Sequence, residues 1–479
     1  MSPASLPLVK RPAAALVGAS MVALALGAIP PSAPDLRAVA SYDAGVVHVA
    51  GIRVLDTLPA VGMAVVEGSP QALARLGRTP GVRGVAPDVP VHLTGTPSRG
   101  TAVAAAQGLG GQAGKESAGR GVRIAVLDTG VSDTAGLDRR SGRLVDVFDS
   151  SRGASGTTYD DAFGHGTFMA SIAAGGPADG SHGKPVGVAP GATVLVVRVA
   201  QPDGTTSLSQ VLAGLNWVVG HSDQVDVANL SFSYDRPGRA YGADPLTAAV
   251  EAVRDKGVTV VVSAGNKADR VGDPGFAPRA LTVGAADLTG RQADVAEFSG
   301  SALVAGVAKP DVVANGVSVL GVLPAGSVIA RANPDSRAQG ALWTGSGTSQ
   351  ATAVTTGVVA LLLQKHPDAT PAEVKALLRG SVRPLPGSRD GAGLLRLARG
   401  QADGADEPGA GPGGSDPTGE GGFDANSWSA NSWSANSWSA NSWSANSWSA
   451  NSWSANSWSA NSWSANSWSA DSWSIGATR

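Results

Sequence analysis

The 479-residue chain contains no cysteine. This excludes disulfides, thiol nucleophiles and thiolate metal sites, and leaves the redox compartment open. Aromatic residues are scarce at 5%, and ten of the 12 tryptophans fall in one C-terminal repeat, so any core must be built largely from aliphatic side chains. Positive charge has no surplus. The formal net charge is −2, which leaves nothing to neutralise phosphates and argues against nucleic acid as a partner. What is present suffices for a sizeable domain: 43% of residues are hydrophobic and 15% charged, in a chain long enough for a few hundred folded residues plus appendages.

Near the N-terminus, Lys10 and Arg11 precede an uncharged run from Pro12 to Ile29, followed by Pro30-Pro31. That is the layout of a secretory signal, so residues 1–40 read as a signal peptide and the protein as secreted or held at the cell surface. Ala38-Val39-Ala40 offers a small-residue cleavage site, and Ala23-Leu24-Ala25 is a nearer alternative. The competing reading is an uncleaved membrane anchor, for which the run is at the short edge of a span.

Residues 41–96 form a small α+β module. Val46–Ala50, Ile52–Leu55, Met63–Val66 and Val82–Val85 read as strands around a helix at Pro70–Leu76, which has proline at its start. A module this small holds little core. Its place between a leader and a larger domain suggests a pro-segment, the alternative being an N-terminal subdomain that stays attached. Residues 97–400 alternate apolar runs with helical stretches. The runs are Ile124–Leu127, Ala192–Ala200, Val225–Phe232 and Val258–Ala264; the helices are Phe168–Ala174, Leu208–Val219 and Leu246–Lys256. This alternation predicts an α/β domain with a parallel sheet covered by helices on both faces. Such sheets carry their ligand site at the carboxyl ends of the strands, where Asp128 and Asn266 fall.

The stretch Thr344-Gly345-Ser346-Gly347-Thr348-Ser349 stands directly before a long apolar helix signal, Ala351–Leu363. Two readings are open for it. Ser346, Thr348 and Ser349 cap the helix, or Ser349 is a nucleophile beside the positive end of the helix dipole. A nucleophilic serine needs an imidazole to take its proton and a carboxylate to hold the imidazole's tautomer. His165 is the candidate, in Gly164-His165-Gly166-Thr167 at the head of a helix. His182 lies in a loop with no helix behind it, and His48, His92, His221 and His366 have no motif around them. Asp128 ends an apolar run and is followed by Thr129-Gly130. The chain order Asp, His, Ser is one of the known arrangements of this triad. No Gly-x-Ser-x-Gly surrounds Ser349, which disfavours a non-proteolytic serine hydrolase.

With these residues in hand, the sequence resembles the subtilisin-like serine proteases, or subtilases, of the secreted bacterial type. The matching words are Val126-Leu127-Asp128-Thr129-Gly130, Gly164-His165-Gly166-Thr167, Ser263-Ala264-Gly265-Asn266 and Gly347-Thr348-Ser349, in family order between Arg123 and Leu397. Gly187-Val188-Ala189-Pro190-Gly191 and Lys309-Pro310-Asp311-Val312-Val313-Ala314 agree as well. The resemblance implies a serine endopeptidase acting on protein or peptide substrates. Ser349 would attack, His165 would serve as general base and then acid, and Asp128 would orient it. Asn266 would donate to the oxyanion. Ser231-Phe232-Ser233 would pair with extended substrate, with Ala264, Gly265 and Gly272 as wall and floor of the primary pocket. A glycine floor implies depth, hence large apolar or aromatic side chains before the cut bond. Pro274 falls where the family carries a cis proline. Residues 41–96 resemble the family's inhibitory propeptide, notably Gly81-Val82 and Val85-Ala86-Pro87-Asp88, implying a zymogen cut between Leu93 and Gly100 and a partner in its own propeptide.

Departures from the family pattern include Gln350 in place of methionine, which removes an oxidisable sulfur beside the nucleophile. Ser233 stands for a glycine, which would narrow the cleft. Phe168 stands for a histidine, and Lys267 for a residue often acidic, which would disfavour basic substrates. The chemistry requires no cofactor. Structural calcium is a family expectation, with no ligand loop recognisable and no metal residues assigned. Beyond residue 400 the composition changes: 401–424 is an acidic Gly/Pro-rich linker, and 425–479 carries ten Ala-Asn-Ser-Trp-Ser units, the last with Asp471 in place of asparagine. That tail reads either as low-complexity chain or as a multivalent aromatic surface for glycan, cell wall or membrane headgroups.

Overall fold

The computed structural model describes residues 35–98, 101–134, 136–150, 160–234, 244–304, 307–387 and 389–397. The apolar run of the leader, the acidic linker and the repeat tail lie outside the described residues.

The N-terminal module is a four-stranded antiparallel sheet with one helix. Strands β1 (Leu36–Tyr42), β2 (Ile52–Leu58), β3 (Met63–Gly68) and β4 (Val82–Pro87) run in the order β2-β3-β1-β4. Helix α1 (Pro70–Leu76) opens on Ser69, whose Oγ accepts from the Ala72 amide at 3.2 Å. Alternation along β1 sends Ala38, Ala40 and Tyr42 toward α1, and Val39 to the opposite face. One expectation is corrected here. Val46–Ala50 is not a strand, and the strand that fills its role is Leu36–Tyr42, which crosses the boundary drawn at residue 40 between leader and module. Its small residues suggest a cleavage site in sequence; in the fold they are buried because both faces of β1 are covered.

Strands β5 (Pro90–Leu93), β6 (Gly95–Pro97) and β11 (Phe232–Ser233) lie outside the main sheet, which is mostly parallel. Of its ten strands, seven form the parallel body: β7 (Arg123–Asp128), β8 (Leu144–Asp149), β9 (Thr193–Arg198), β10 (Val227–Leu230), β12 (Thr259–Ser263), β13 (Leu281–Asp287) and β14 (Val312–Asn315). They lie in the order β8-β9-β7-β10-β12-β13-β14. Residues alternate strictly between two cores. Ile124, Val126, Val194, Val196, Val261 and Val283 face helices α2 (His165–Ala174) and α5 (Thr348–Lys365). Ala125, Leu127, Leu195, Val197, Val260 and Val262 face α3 (Leu208–Gly220) and α4 (Pro245–Asp255). Each buried Val, Leu or Ile among them contributes about 1.5–3 kcal/mol. Because β7 starts in the middle and the chain fills one side and then the other, the order switches between β7 and β10. A crevice opens there at the carboxyl ends, and Asp128 lies on it.

Behind this sheet, Asp311 gathers three cations. Lys309 and Lys375 Nζ each lie 2.9 Å from its carboxylate and Arg379 lies 3.2 Å away. Burial opposes ionisation of Asp311, but Lys309 and Lys375 together hold it below its ordinary range. Burial, with repulsion from Lys309, lowers Lys375 to about 7, against the pull of Asp311. Above that value the folded lysine is neutral while the unfolded one still holds its proton, so stability should rise with pH from about 7 to the ordinary lysine range. Chemical denaturation at several pH values should show this slope in the wild type and a flatter one in Lys375→Met.

Candidate active site

Asp128 closes β7 and is fully buried. The Thr129 amide donates to its Oδ1 at 2.8 Å, and His165 Nδ1 lies 2.8 and 2.9 Å from its two oxygens. An ionised carboxylate only accepts, so Nδ1 carries the hydrogen and Nε2 of the neutral ring keeps its lone pair. His165 is the first residue of α2, and Gly166 behind it is obligatory. A Cβ there would come within 2.1 Å of the Gly130 carbonyl oxygen, so no side chain fits between the helix and the Asp128 turn.

Asp161 fastens this corner and has no counterpart among the sequence candidates. It accepts from Thr129 Oγ1 and the Gly164 and Thr167 amides, each at 2.7 Å, and from Thr167 Oγ1 at 2.8 Å. Burial raises its carboxyl, and these four donors oppose the rise. It ties the turn after Asp128 to the start of the His165 helix. Its only sequence signal is a position four residues before His165.

Ser349 lies in the first turn of α5. The capping reading of its neighbours fails: the residue preceding the helix is Gly347, with no side-chain cap. Ser346 Oγ instead accepts from the Ser318 amide, and Thr348 Oγ1 donates to Asn266 Oδ1 at 2.9 Å while accepting from the Gly265 amide at 3.1 Å. The Thr348 amide also donates to Asn266 Oδ1 at 2.9 Å, which turns the Asn266 NH2 group outward. The single apolar run Val225–Phe232 is in fact broken at Ser231. β10 ends at Leu230 because the Ser231 carbonyl is drawn to the site, where it accepts from Ser349 Oγ at 2.8 Å.

The chain itself occupies the crevice. Strand β5 (Pro90–Leu93) pairs antiparallel with β11 (Phe232–Ser233), Leu93 opposite Phe232 and His92 opposite Ser233. Strand β6 (Gly95–Pro97) pairs with β15 (Leu342–Gly347), so residues 90–97 cross the site as an extended strand held on both sides of Thr94. The Thr94 carbonyl oxygen accepts from Asn266 Nδ2 at 2.5 Å and from the Ser349 amide at 3.5 Å. A Cβ built on Gly95 would lie 3.1 Å from His165 Nε2. The Thr94–Gly95 peptide therefore has its carbonyl at an oxyanion-type pair of donors and its far side against the imidazole.

Ser349 and His165 are brought to the same peptide but are not bonded to each other. Among the described residues His165 Nε2 has no hydrogen-bond partner, and Ser349 Oγ is instead 2.7 Å from Thr94 Oγ1. Of the expected substrate-binding residues, Ser233, Gly265 and Gly272 line a cavity of about 220 Å³ beside Thr94, together with Asn266, Lys267 and Arg270. Phe232 is not among the residues lining this cavity, because its ring is buried in the core and its backbone meets β5. Ala264 is buried as well and holds the pocket through its carbonyl, which accepts from the Gly272 amide at 2.9 Å. The Asp273–Pro274 bond is cis.

A family model described as the subtilase family matches residues 119–405. The chain belongs to the subtilase family of subtilisin-like serine proteases. Serine protease AprX of Bacillus subtilis is 34% identical over 280 residues, 56% of this chain and 62% of that protein. Subtilisin BL of Lederbergia lenta is 32% identical over 280 residues, 58% of this chain and 89% of the relative. The chain thus spans under two thirds of AprX and most of subtilisin BL. Among solved structures, fervidolysin from Fervidobacterium pennivorans, described as a keratinolytic enzyme related to subtilisin, superposes with a TM-score of 0.60. The match is 24% identical and covers 78% of this chain and 61% of that one, a likeness of fold. The α/β architecture read from the sequence is this subtilase fold.

Proposed function

We propose that this subtilase is an exported serine endopeptidase made as a zymogen, and that its first substrate is its own Thr94–Gly95 bond. The observation that carries the reading is the Thr94 carbonyl oxygen between Asn266 Nδ2 and the Ser349 amide. Ser349 Oγ attacks the carbonyl carbon, His165 Nε2 takes its proton and passes it to the departing Gly95 nitrogen, and Asp128 steadies the cation. Asn266 and the Ser349 amide hold the oxyanion.

The pro-segment supports this reading by how it docks. Asp88 accepts from the Ser209 amide at 2.8 Å and from Ser209 Oγ at 2.7 Å, capping the first turn of α3. The Ala60 amide donates to Asn216 Oδ1 at 2.8 Å, and Val39, Leu58 and Met63 join the apolar cluster of α3 and α4. A leader would end upstream of β1, so Ala23-Leu24-Ala25 suits export better than Ala38-Val39-Ala40, which is buried in that strand. Among the described residues, no helix is long and apolar enough to cross a membrane. The tryptophan repeat would hold the mature enzyme to a glycan or wall surface by many weak stacks.

Incubating purified precursor and sequencing the product tests the proposal. A new N-terminus at Gly95, formed at a rate independent of protein concentration, is expected. A product beginning elsewhere, or a rate proportional to concentration, would refute self-cleavage at this bond.

Thr94 also restrains the step it undergoes. Its Oγ1 bonds the nucleophile and lies 3.0 Å from Ser263 Oγ, while Ser349 Oγ is turned to the Ser231 carbonyl rather than to His165. Thr94→Val keeps the shape and loses this bond. Precursor disappearance should accelerate about three- to tenfold, the scale of one neutral hydrogen bond.

For intermolecular substrates, the cavity beside Thr94 leaves room for a large side chain before the cut bond, and Lys267 and Arg270 on its lining disfavour a basic one. A peptide panel showing preference for alanine, glycine, lysine or arginine there would contradict this.

A further inference from the structure

Two buried polar atoms without partners among the described residues face the leaving side of the scissile bond. One is His165 Nε2 and the other is Gln350 Oε1. Both residues line a small cavity with Gly95, Phe168, Leu323 and Thr344, which leaves about 10 Å³ of open space, room for about one water molecule. A Cβ built on Gly95 would stand 3.0 Å from Gln350 Oε1, 3.0 Å from its Nε2 and 3.1 Å from His165 Nε2. An atom at that point is therefore within hydrogen-bonding reach of the imidazole and of the amide together. The Gln350 amide fits there because Gly345 and Gly347 carry no side chains, since a Cβ built on either would come within 2.7 or 2.8 Å of it.

From this geometry we infer that Gln350 is a positioning residue for the water that hydrolyses the acyl-enzyme. The inference rests on the proteolytic reading above and concerns its second half. Once the amine product leaves, the space it occupied is where the second nucleophile must arrive, because deacylation retraces acylation with water in place of the amine. Water there donates one hydrogen to His165 Nε2 and the other to Gln350 Oε1. That aims its oxygen lone pair at the ester carbonyl carbon.

The water oxygen bonds to the carbonyl carbon while His165 Nε2 takes one water proton. The tetrahedral centre then expels Ser349 Oγ, which receives that proton back from Nε2. The products are a carboxylic acid and a free serine hydroxyl. Gln350 makes and breaks no covalent bond. A primary amine brings the same two hydrogens, but its substituent must also be accommodated where there is room for about one water molecule, so Gln350 places water more readily than an added amine.

The test uses mature enzyme and Gln350→Met, which keeps length and bulk but removes the acceptor oxygen. Steady-state kinetics are measured on an ester substrate, where deacylation limits turnover, and on the matching anilide, where acylation limits it. The ester kcat and KM should fall together by about three- to tenfold, the scale of one neutral hydrogen bond. The anilide kcat should fall by clearly less. With glycinamide added, the ratio of aminolysis to hydrolysis should rise by a similar factor. Gln350→Glu, which retains an acceptor at the same reach, should keep that ratio near the wild-type value. Equal losses on both substrates with an unchanged aminolysis ratio would show a merely structural role and overturn the inference, as would no change on either. A wild-type enzyme that hydrolyses neither substrate would instead overturn the proteolytic reading, and this inference with it.

Discussion

Ser349→Ala should lower kcat on a peptide substrate by about a million-fold, the scale seen when a triad member of a subtilisin is removed, and should leave the precursor uncut. The size follows from the arrangement. Ser349 Oγ sits beside the Thr94 carbonyl that Asn266 and the Ser349 amide hold, and His165 has its Nε2 lone pair turned to the leaving side. Removing the hydroxyl leaves the oxyanion donors and the substrate strand in place, so a residual acceleration over water should persist. The measurement is single-turnover cleavage with the variant supplied as a complex of separately expressed pro-segment and catalytic domain, so that loss of maturation is not mistaken for loss of chemistry. A drop of less than about a thousand-fold would mean that another group is the nucleophile.

Asn266→Ala should cost about a hundred- to a thousand-fold in kcat with little change in KM. The donor is preorganised. Its Oδ1 accepts from the Thr348 amide and Thr348 Oγ1, both at 2.9 Å, leaving Nδ2 directed at the Thr94 carbonyl oxygen 2.5 Å away. Such a donor gains most when negative charge develops on that oxygen, so its loss falls on the transition state rather than on substrate binding. The Ser349 amide, at 3.5 Å, is the more distant of the two in the precursor; the remaining amide sustains the residual rate. The same variant should slow self-cleavage by a comparable factor, since the Thr94–Gly95 bond uses the same donors. A loss expressed mainly in KM would indicate that Asn266 binds the ground state instead.

The parts of this account legible in the sequence were those with short-range signatures. The apolar runs of the parallel sheet announced strands because both faces are buried, and α1 was legible to the residue because Pro70 and Leu76 punctuate it. Asp128, His165, Asn266 and Ser349 stood out because each sits at an element boundary inside a motif.

Features that depend on partners distant in sequence were hidden. Ala38, Val39 and Ala40 of β1 are buried on both faces of the strand, a context that a local reading cannot supply, so in sequence the stretch offers a cleavage site as readily as a strand. The break at Ser231 arises from a carbonyl drawn to Ser349, 118 residues later. Asp161 is one aspartate among many until Thr129, Gly164 and Thr167 close around it. Thr94 carries no motif, and its role appears only when β5 and β6 are laid between β11 and β15.

The central claim is that one serine, presented to the Thr94–Gly95 peptide, does the chemistry first on its own chain and then on others. A fluorophosphonate probe tests this most directly, applied to the precursor over time and followed by mass spectrometry of the labelled protein. The account predicts that label appears only as the precursor is cut, on a chain whose first residue is Gly95, with the adduct on Ser349. Label on another residue, or a labelled chain that begins anywhere else, would contradict it.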